Sequence, residues 1–268
     1  MNLYKRDYTK ITPEEQEEFS LFDKSITVGE FRGLPIKRAC RPPKTLLHYE
    51  SLFPNNYLDV FELKDLNLEL NLHLEEFRCL LDSEDVKESD ILRFIKNPDG
   101  KAYFIIASLL RRYDFGHHEA FLFTEFQLGN RYRSDFLIIG RSSNGYEFVF
   151  VELESPKGKI TMGDGYLGEA FRKGLNQIGD WKTWLEANFS SLKETFNKAK
   201  KLGQALPDEF VSMNINRIHY VVIAGRRNDF TQKIYDHRMR YKKDINCSLL
   251  HYDNLIDDAT DALRFRAY

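Results

Sequence analysis

The sequence predicts an α/β chain of the α+β kind, with a core that runs helix, three strands, helix, strand, preceded by a smaller β-rich domain. Three observations carry that expectation. Residues 120–154 hold three apolar, β-rich runs in quick succession, the last two joined by Ser142-Ser143-Asn144-Gly145, whose Asn-Gly dipeptide suits a tight hairpin turn. Residues 168–188 space Phe171, Leu175, Ile178 and Leu185 as one core-facing helical stripe. Residues 217–224 then return to an apolar, β-branched strand.

Bulk properties set limits on the chain. Its 268 residues, 42% of them hydrophobic, suffice for one good core plus an accessory domain. A formal net charge of -2 offers no global attraction for nucleic acid, so any DNA contact has to use a local basic patch. Cys40, Cys79 and Cys247 are scattered and odd in number, which argues against a disulfide framework or a zinc knuckle. The start of the chain is polar, and nowhere is there an apolar run near the ~18 residues of a membrane helix. A cytoplasmic protein without a membrane span is expected.

The elements follow in order. Thr12-Pro13-Glu14-Glu15 has capping-box spacing with Pro in the first turn, and opens a short acidic helix to about Asp23. Residues 25–39 read as strand pieces broken by Gly29, Gly33 and Pro35. Leu66, Leu68, Leu70, Leu72 and Leu74 alternate with polar residues, a strict period of two that predicts a half-buried strand. With residues 57–63 it makes the N-terminal domain β-rich. Short helices are expected over 75–81 and 89–96, and Asn97-Pro98-Asp99-Gly100 marks a boundary between domains 1–97 and 98–268. Beyond it come a helix over 101–113, strands over 120–128, 135–141 and 146–154, the helix over 168–188, a strand over 217–224, a basic helix over 230–241, a strand over 247–252 and a final short helix.

The chemistry gathers around the hairpin. Strand side chains alternate faces, so Glu152 and Glu154 point one way while Val151 and Leu153 point the other. In an antiparallel hairpin closed at 142–145, Asp135 lies beside the end of the second strand, and Glu125 on the preceding run can add a fourth oxygen ligand. Such a cluster suits Mg²⁺ or Mn²⁺, and without a cation one of its carboxylates should stay protonated. Basic pairs stand at strand ends around it: Arg131 and Arg133, Lys157 and Lys159, Arg172 and Lys173, Arg226 and Arg227, placed to hold phosphates. The string Gly163-Asp164-Gly165-Tyr166-Leu167-Gly168 matches a dinucleotide fingerprint, but eight residues separate it from the preceding strand, so no nucleotide cofactor is expected.

Asp135, a hairpin and then Val151-Glu152-Leu153-Glu154 resemble the PD-(D/E)xK nuclease motif of the restriction-endonuclease-like fold. More of the chain is similar to the Shedu family of bacterial anti-phage defence proteins. The pieces are 124–129 (Thr-Glu-Phe-Gln-Leu-Gly), Arg133-Ser134-Asp135-Phe136, 151–154, Gln177-Ile178-Gly179-Asp180-Trp181, 221–227 and 250–255, and they span about residues 100–268. The resemblance implies a metal-dependent DNA endonuclease or nickase with Asp135 and Glu152 as metal ligands, Glu125 as a third, and Gln177 as a helix-borne active-site residue. It also implies a homo-oligomer, dimer or tetramer, acting on phage or invading DNA. One departure stands out: Glu154 occupies the position of the motif lysine. Lys157 or Lys159 could supply the missing ammonium; otherwise the alternative is a catalytically weakened nuclease fold that binds or senses DNA and acts through assembly.

Overall fold

The computed structural model describes residues 2–25, 27–31, 34–38, 41–163 and 165–268. Helix α1 (Pro13–Ser25) begins at the expected capping box: the Glu15 amide donates to Thr12 Oγ1 at 3.3 Å and the Thr12 amide to Glu15 Oε2 at 2.9 Å. Strands β1 (Thr27–Phe31) and β2 (Leu34–Arg38) form an antiparallel pair, while Gly33 and Ala39 of the expected strand-like stretch lie outside the described residues.

The rest of the N-terminal region departs from the expected β-rich domain. It holds helices α2 (Lys44–Glu50), α3 (Glu62–Asp65), α4 (Asn67–Asp82) and α5 (Glu88–Ile95). Residues 57–63 contribute an isolated bridge at Tyr57 and the start of α3 instead of a strand. The alternating leucines are the first two turns of α4. Leu70, Leu74, Phe77 and Leu81 are buried at spacings of four, three and four, a helical stripe, whereas Leu68 and Leu72 are 84% and 66% exposed. A period of two and a period near 3.6 coincide at every fourth residue. Two exposed leucines on the opposite face completed the false alternation.

Helix α6 (Tyr103–Ala107), wholly buried, continues as a 3₁₀ turn over Ser108–Arg112. Then come β3 (Glu119–Leu128), β4 (Tyr132–Ser142) and β5 (Gly145–Leu153), followed by α7 (Glu169–Asn188) and α8 (Leu192–Ala199). Strand β6 (Ile218–Ile223), helix α9 (Gln232–Ile245), strand β7 (Cys247–Leu250) and helix α10 (Tyr252–Phe265) complete the chain. The five strands form one mixed sheet in the order β3-β4-β5-β6-β7, antiparallel through β5 and parallel from β5 to β7. The α7–α8 and α9 crossovers make the parallel additions possible. At the hairpin, Ser142 pairs with Gly145, which takes φ +100°.

Alternation on the strands feeds two cores, one on each face of the sheet. Val149, Val151 and Leu153 join α4, α5, α6 and α10 on one side; Phe148 and Phe150 join α7 and α8 on the other. Helices α4 and α5 therefore share a core with the sheet. Among the described residues no helix is long and apolar enough to cross a membrane.

Candidate active site

The site forms where the β4–β5 ladder ends and the parallel half of the sheet begins, at the carboxyl end of β5, the edge at which open α/β sheets present ligands. Phe136 pairs with Val151, which sets Asp135 opposite Glu152. Asp135 accepts the Leu153 amide at 2.8 Å. Glu154 is fixed through its backbone: its amide donates to the Ile223 carbonyl at 2.8 Å, and its carbonyl accepts the Tyr252 hydroxyl at 2.7 Å. The register thus places Asp135, Glu152 and Glu154 at the same end of the hairpin.

Helix α7 closes the site from above the sheet. A Cβ at Gly174 would stand 2.5 Å from Val222 Cγ1 and 3.3 Å from Glu154 Cγ, so only glycine lets the helix lie this close. That approach delivers Lys173, whose ammonium donates to Glu154 Oε2 at 2.8 Å and lies 3.5 Å from Glu88 Oε2. Gln177, one turn on, is half-buried on the same helix.

Burial and mutual repulsion dominate the electrostatics. Glu152 and Glu154 are only 4% and 2% exposed. Burial pushes the Glu152 carboxyl well above the ordinary range, and the charges of Asp135, Glu154 and Glu88 push it further. Asp135 is raised by burial too, against the Leu153 hydrogen bond, which favours its charged form. Burial raises Glu154 to about 7, with Lys173 opposing and Glu88 adding to the shift. Partial burial works against the Lys173 charge, but Glu154 and then Glu88 outweigh it and raise the ammonium.

Three buried oxygens, Glu152 Oε2 and Glu154 Oε1 in the site and Gln177 Oε1 on α7, have no hydrogen-bond partner. Unsatisfied buried acceptors are costly, and all three are hard oxygen donors of the kind that Mg²⁺ or Mn²⁺ and their bound waters satisfy. Among the described residues no three His, Cys, Asp or Glu side chains converge into a ready-made cage. A partial set of this kind fits a cation held by one or two carboxylates that keeps several waters.

The other expected residues divide. Glu125 lies across β3–β4 from Asp135, between the pairs Thr124 with Phe136 and Phe126 with Ser134, and takes φ +50°. Its carboxylate is engaged by Lys96 at 3.0 Å and Arg133 at 3.7 Å, and the Lys96 hydrogen bond lowers its pKa. Arg131 and Arg172 are exposed, as is Arg133. Lys157 and Lys159 line a neighbouring cleft of about 810 Å³ with Arg226 and Asp253, and among the described residues neither is ion-paired. Of the pair expected to hold phosphates, Arg226 is turned inward and binds Asp253 and Asp82, each at 2.9 Å, while Arg227 stays exposed and pairs with Asp257.

Two residues near the centre had no signal in the sequence. Glu88, the first residue of α5, and Lys96, just past its last, lie in a mixed-charge stretch that reads as solvated surface. Only the tertiary structure brings Glu88 to Lys173 of α7 and Lys96 to Glu125 of β3.

A family model described as Shedu protein SduA, C-terminal, matches residues 74–256, more than half of the chain. The chain belongs to the Shedu family. The match begins inside α4, so the Shedu segment takes in Glu88 and Lys96 along with every carboxylate of the site. No curated protein sequence matches the chain. Shedu membership points to a role in anti-phage defence.

Proposed function

We propose that this Shedu chain is a divalent-metal-dependent DNA endonuclease or nickase acting in anti-phage defence. The observation that carries the reading is the set of inward carboxylates on Asp135, Glu152 and Glu154, raised in pKa, with buried oxygens left unpartnered. That is a centre poised for a cation. A bound Mg²⁺ or Mn²⁺ supplies charge neutralisation at a phosphate and a more acidic water; Asp135 and Glu152 would hold it, with Glu125 or Glu154 as further oxygen ligands.

The chain's own residues do the rest. The Leu153 amide fixes the Asp135 carboxylate in one orientation. Gln177, one turn from Lys173 on α7 and with a buried, unpartnered amide oxygen, is suited to orient water or phosphate. Arg131, Arg133 and Arg172 are exposed, and in this reading they neutralise flanking phosphates and fix the duplex in register. Lys157 and Lys159, in the adjoining cleft, can extend that track. An overall charge of -2 leaves DNA affinity to such local groups.

A second reading is favoured by one observation, Glu154 in place of the motif lysine: a nuclease fold that binds or senses DNA and acts by assembly as a homo-oligomer. The same assay separates the two. Supercoiled and linear DNA are incubated with the purified protein in Mg²⁺, Mn²⁺ or chelator, beside Asp135→Ala and Glu152→Ala. Metal-dependent nicking or cutting lost in both variants supports the nuclease. Metal-dependent DNA binding without cutting favours the second reading, and unchanged cutting by Asp135→Ala sinks the site.

A further inference from the structure

We propose that the catalytic ammonium of this nuclease has moved from the strand to helix α7, where Lys173 supplies it, and that Glu154 is the receptor that holds it. The inference rests on the nuclease reading above and completes it. Phosphodiester hydrolysis needs a positive charge beside the scissile phosphate, since negative charge builds on its oxygens in the transition state. At position 154 the strand carries a carboxylate. Nineteen residues further along the chain, the Lys173 ammonium lies 2.8 Å from that carboxylate.

Three features make the exchange specific. Gly174 brings α7 within van der Waals distance of Glu154, which a Cβ at 174 would approach to 3.3 Å, so a helix side chain reaches where a strand side chain would otherwise stand. Glu154 is 2% exposed, while the Lys173 side chain is 57% exposed, so the pair spans from the buried centre to the open side from which a duplex approaches. An ammonium has three N–H donors. One is donated to Glu154 and Glu88 lies 3.5 Å away as an ion-pair partner, so donor capacity remains to meet a phosphate oxygen.

Lysine at both 154 and 173 would put two like charges side by side, one of them buried. Glutamate at 154 removes that conflict and orients the ammonium. In the reaction a water oxygen bonds to phosphorus, the bridging P–O ester bond breaks, one water proton leaves to solvent and the departing oxygen takes one from solvent. Lys173 stays protonated throughout and stabilises charge without transferring a proton.

The test compares wild type with Lys173→Met, the double variant Glu154→Lys/Lys173→Met, which returns the ammonium to the strand, and Glu154→Gln/Lys173→Met, which avoids stranding an unpaired charge at position 154. Single-turnover nicking is measured at saturating DNA in Mn²⁺, with Mn²⁺ binding by calorimetry and thermal melting as readouts independent of cutting. Lys173→Met and Glu154→Gln/Lys173→Met are expected to lose at least ~100-fold in rate while still folding and binding Mn²⁺, and Glu154→Lys/Lys173→Met to return to within about tenfold of wild type. A Lys173→Met protein that nicks at the wild-type rate, with only weaker DNA affinity and a salt slope smaller by about one, makes Lys173 a backbone contact and overturns the assignment. Failure of the strand lysine to restore cutting also overturns it. Wild-type protein that cuts with neither metal overturns the nuclease reading and this inference together, whereas wild-type cutting with an unaffected Lys173→Met leaves that reading standing.

Discussion

Asp135 accepts the backbone N–H of Leu153 at 2.8 Å, just where the β4–β5 ladder runs out. The bond ties a carboxylate to the strand that carries Glu152 and Glu154, and keeps the acid of one strand facing the acids of the next. Separating charge from hydrogen bonding tests that arrangement. Asp135→Asn retains an oxygen acceptor for Leu153, so it should melt within a few degrees of wild type yet lose Mn²⁺ binding and metal-dependent cutting. Asp135→Ala should in addition lose about 1 kcal/mol of stability for the missing hydrogen bond. Calorimetric Mn²⁺ titration beside chemical denaturation checks both.

The carboxylates make stability depend on pH in a definite direction. Asp135, Glu152 and Glu154 are all raised in the folded protein, Glu154 to about 7 from an ordinary 4.5. The folded state therefore holds protons that the unfolded chain has released, and the stability linked to them is fully present below about pH 4.5 and lost as pH rises through 7. In chelator, the melting temperature should fall from about pH 5 to about pH 8, and Glu152→Gln should flatten the fall. Mg²⁺ or Mn²⁺ should restore stability most at the alkaline end, where metal no longer competes with protons. A melting temperature rising over that range in chelator would contradict the burial of these acids.

Gly174 sets the distance between α7 and the sheet. Gly174→Ala puts a methyl 2.5 Å from Val222 Cγ1, and the helix has to move. Helix propensity favours alanine by ~1 kcal/mol, but overpacking at this contact costs about 1–3 kcal/mol. Net destabilisation is expected, with a loss of cutting larger than the loss of folded protein, because Lys173 and Gln177 both ride on the helix. Urea denaturation and single-turnover nicking of the same preparation give the comparison.

Arg226 joins three elements. Its guanidinium binds Asp253 at the start of α10, Asp82 at the end of α4 and the Leu81 carbonyl, the last two at 2.9 Å. The Arg226 and Asp253 side chains are 23% and 19% exposed, so the pair is well shielded, while Asp82 at 70% adds little. Arg226→Ala should cost roughly 1.5–3 kcal/mol by urea denaturation. Arg226→Lys should recover only part of that, because an ammonium cannot reproduce the fork that meets Asp253. DNA affinity should change little, since this arginine faces inward.

The sequence by itself determined the sheet, the hairpin and the place of the acidic centre. Those are short-range facts. Alternation assigns Glu152 and Glu154 to one face, Ser142-Ser143-Asn144-Gly145 closes the turn, and the closed hairpin dictates that Asp135 meets Glu152. The capping box at Thr12 and the stripe of α7 were legible for the same local reason. The leucines of α4 were not, because two periodicities agree over a few residues and only burial tells them apart. Charge partners were also left to the tertiary structure. Nothing local distinguishes Arg226, which is held by Asp253, from Arg131, which is exposed, or marks Lys173 as the lysine that reaches Glu154. An ion pair is settled by which surfaces the fold brings within a few ångströms, and here α5 and α7, distant in sequence, close over one strand end and decide it.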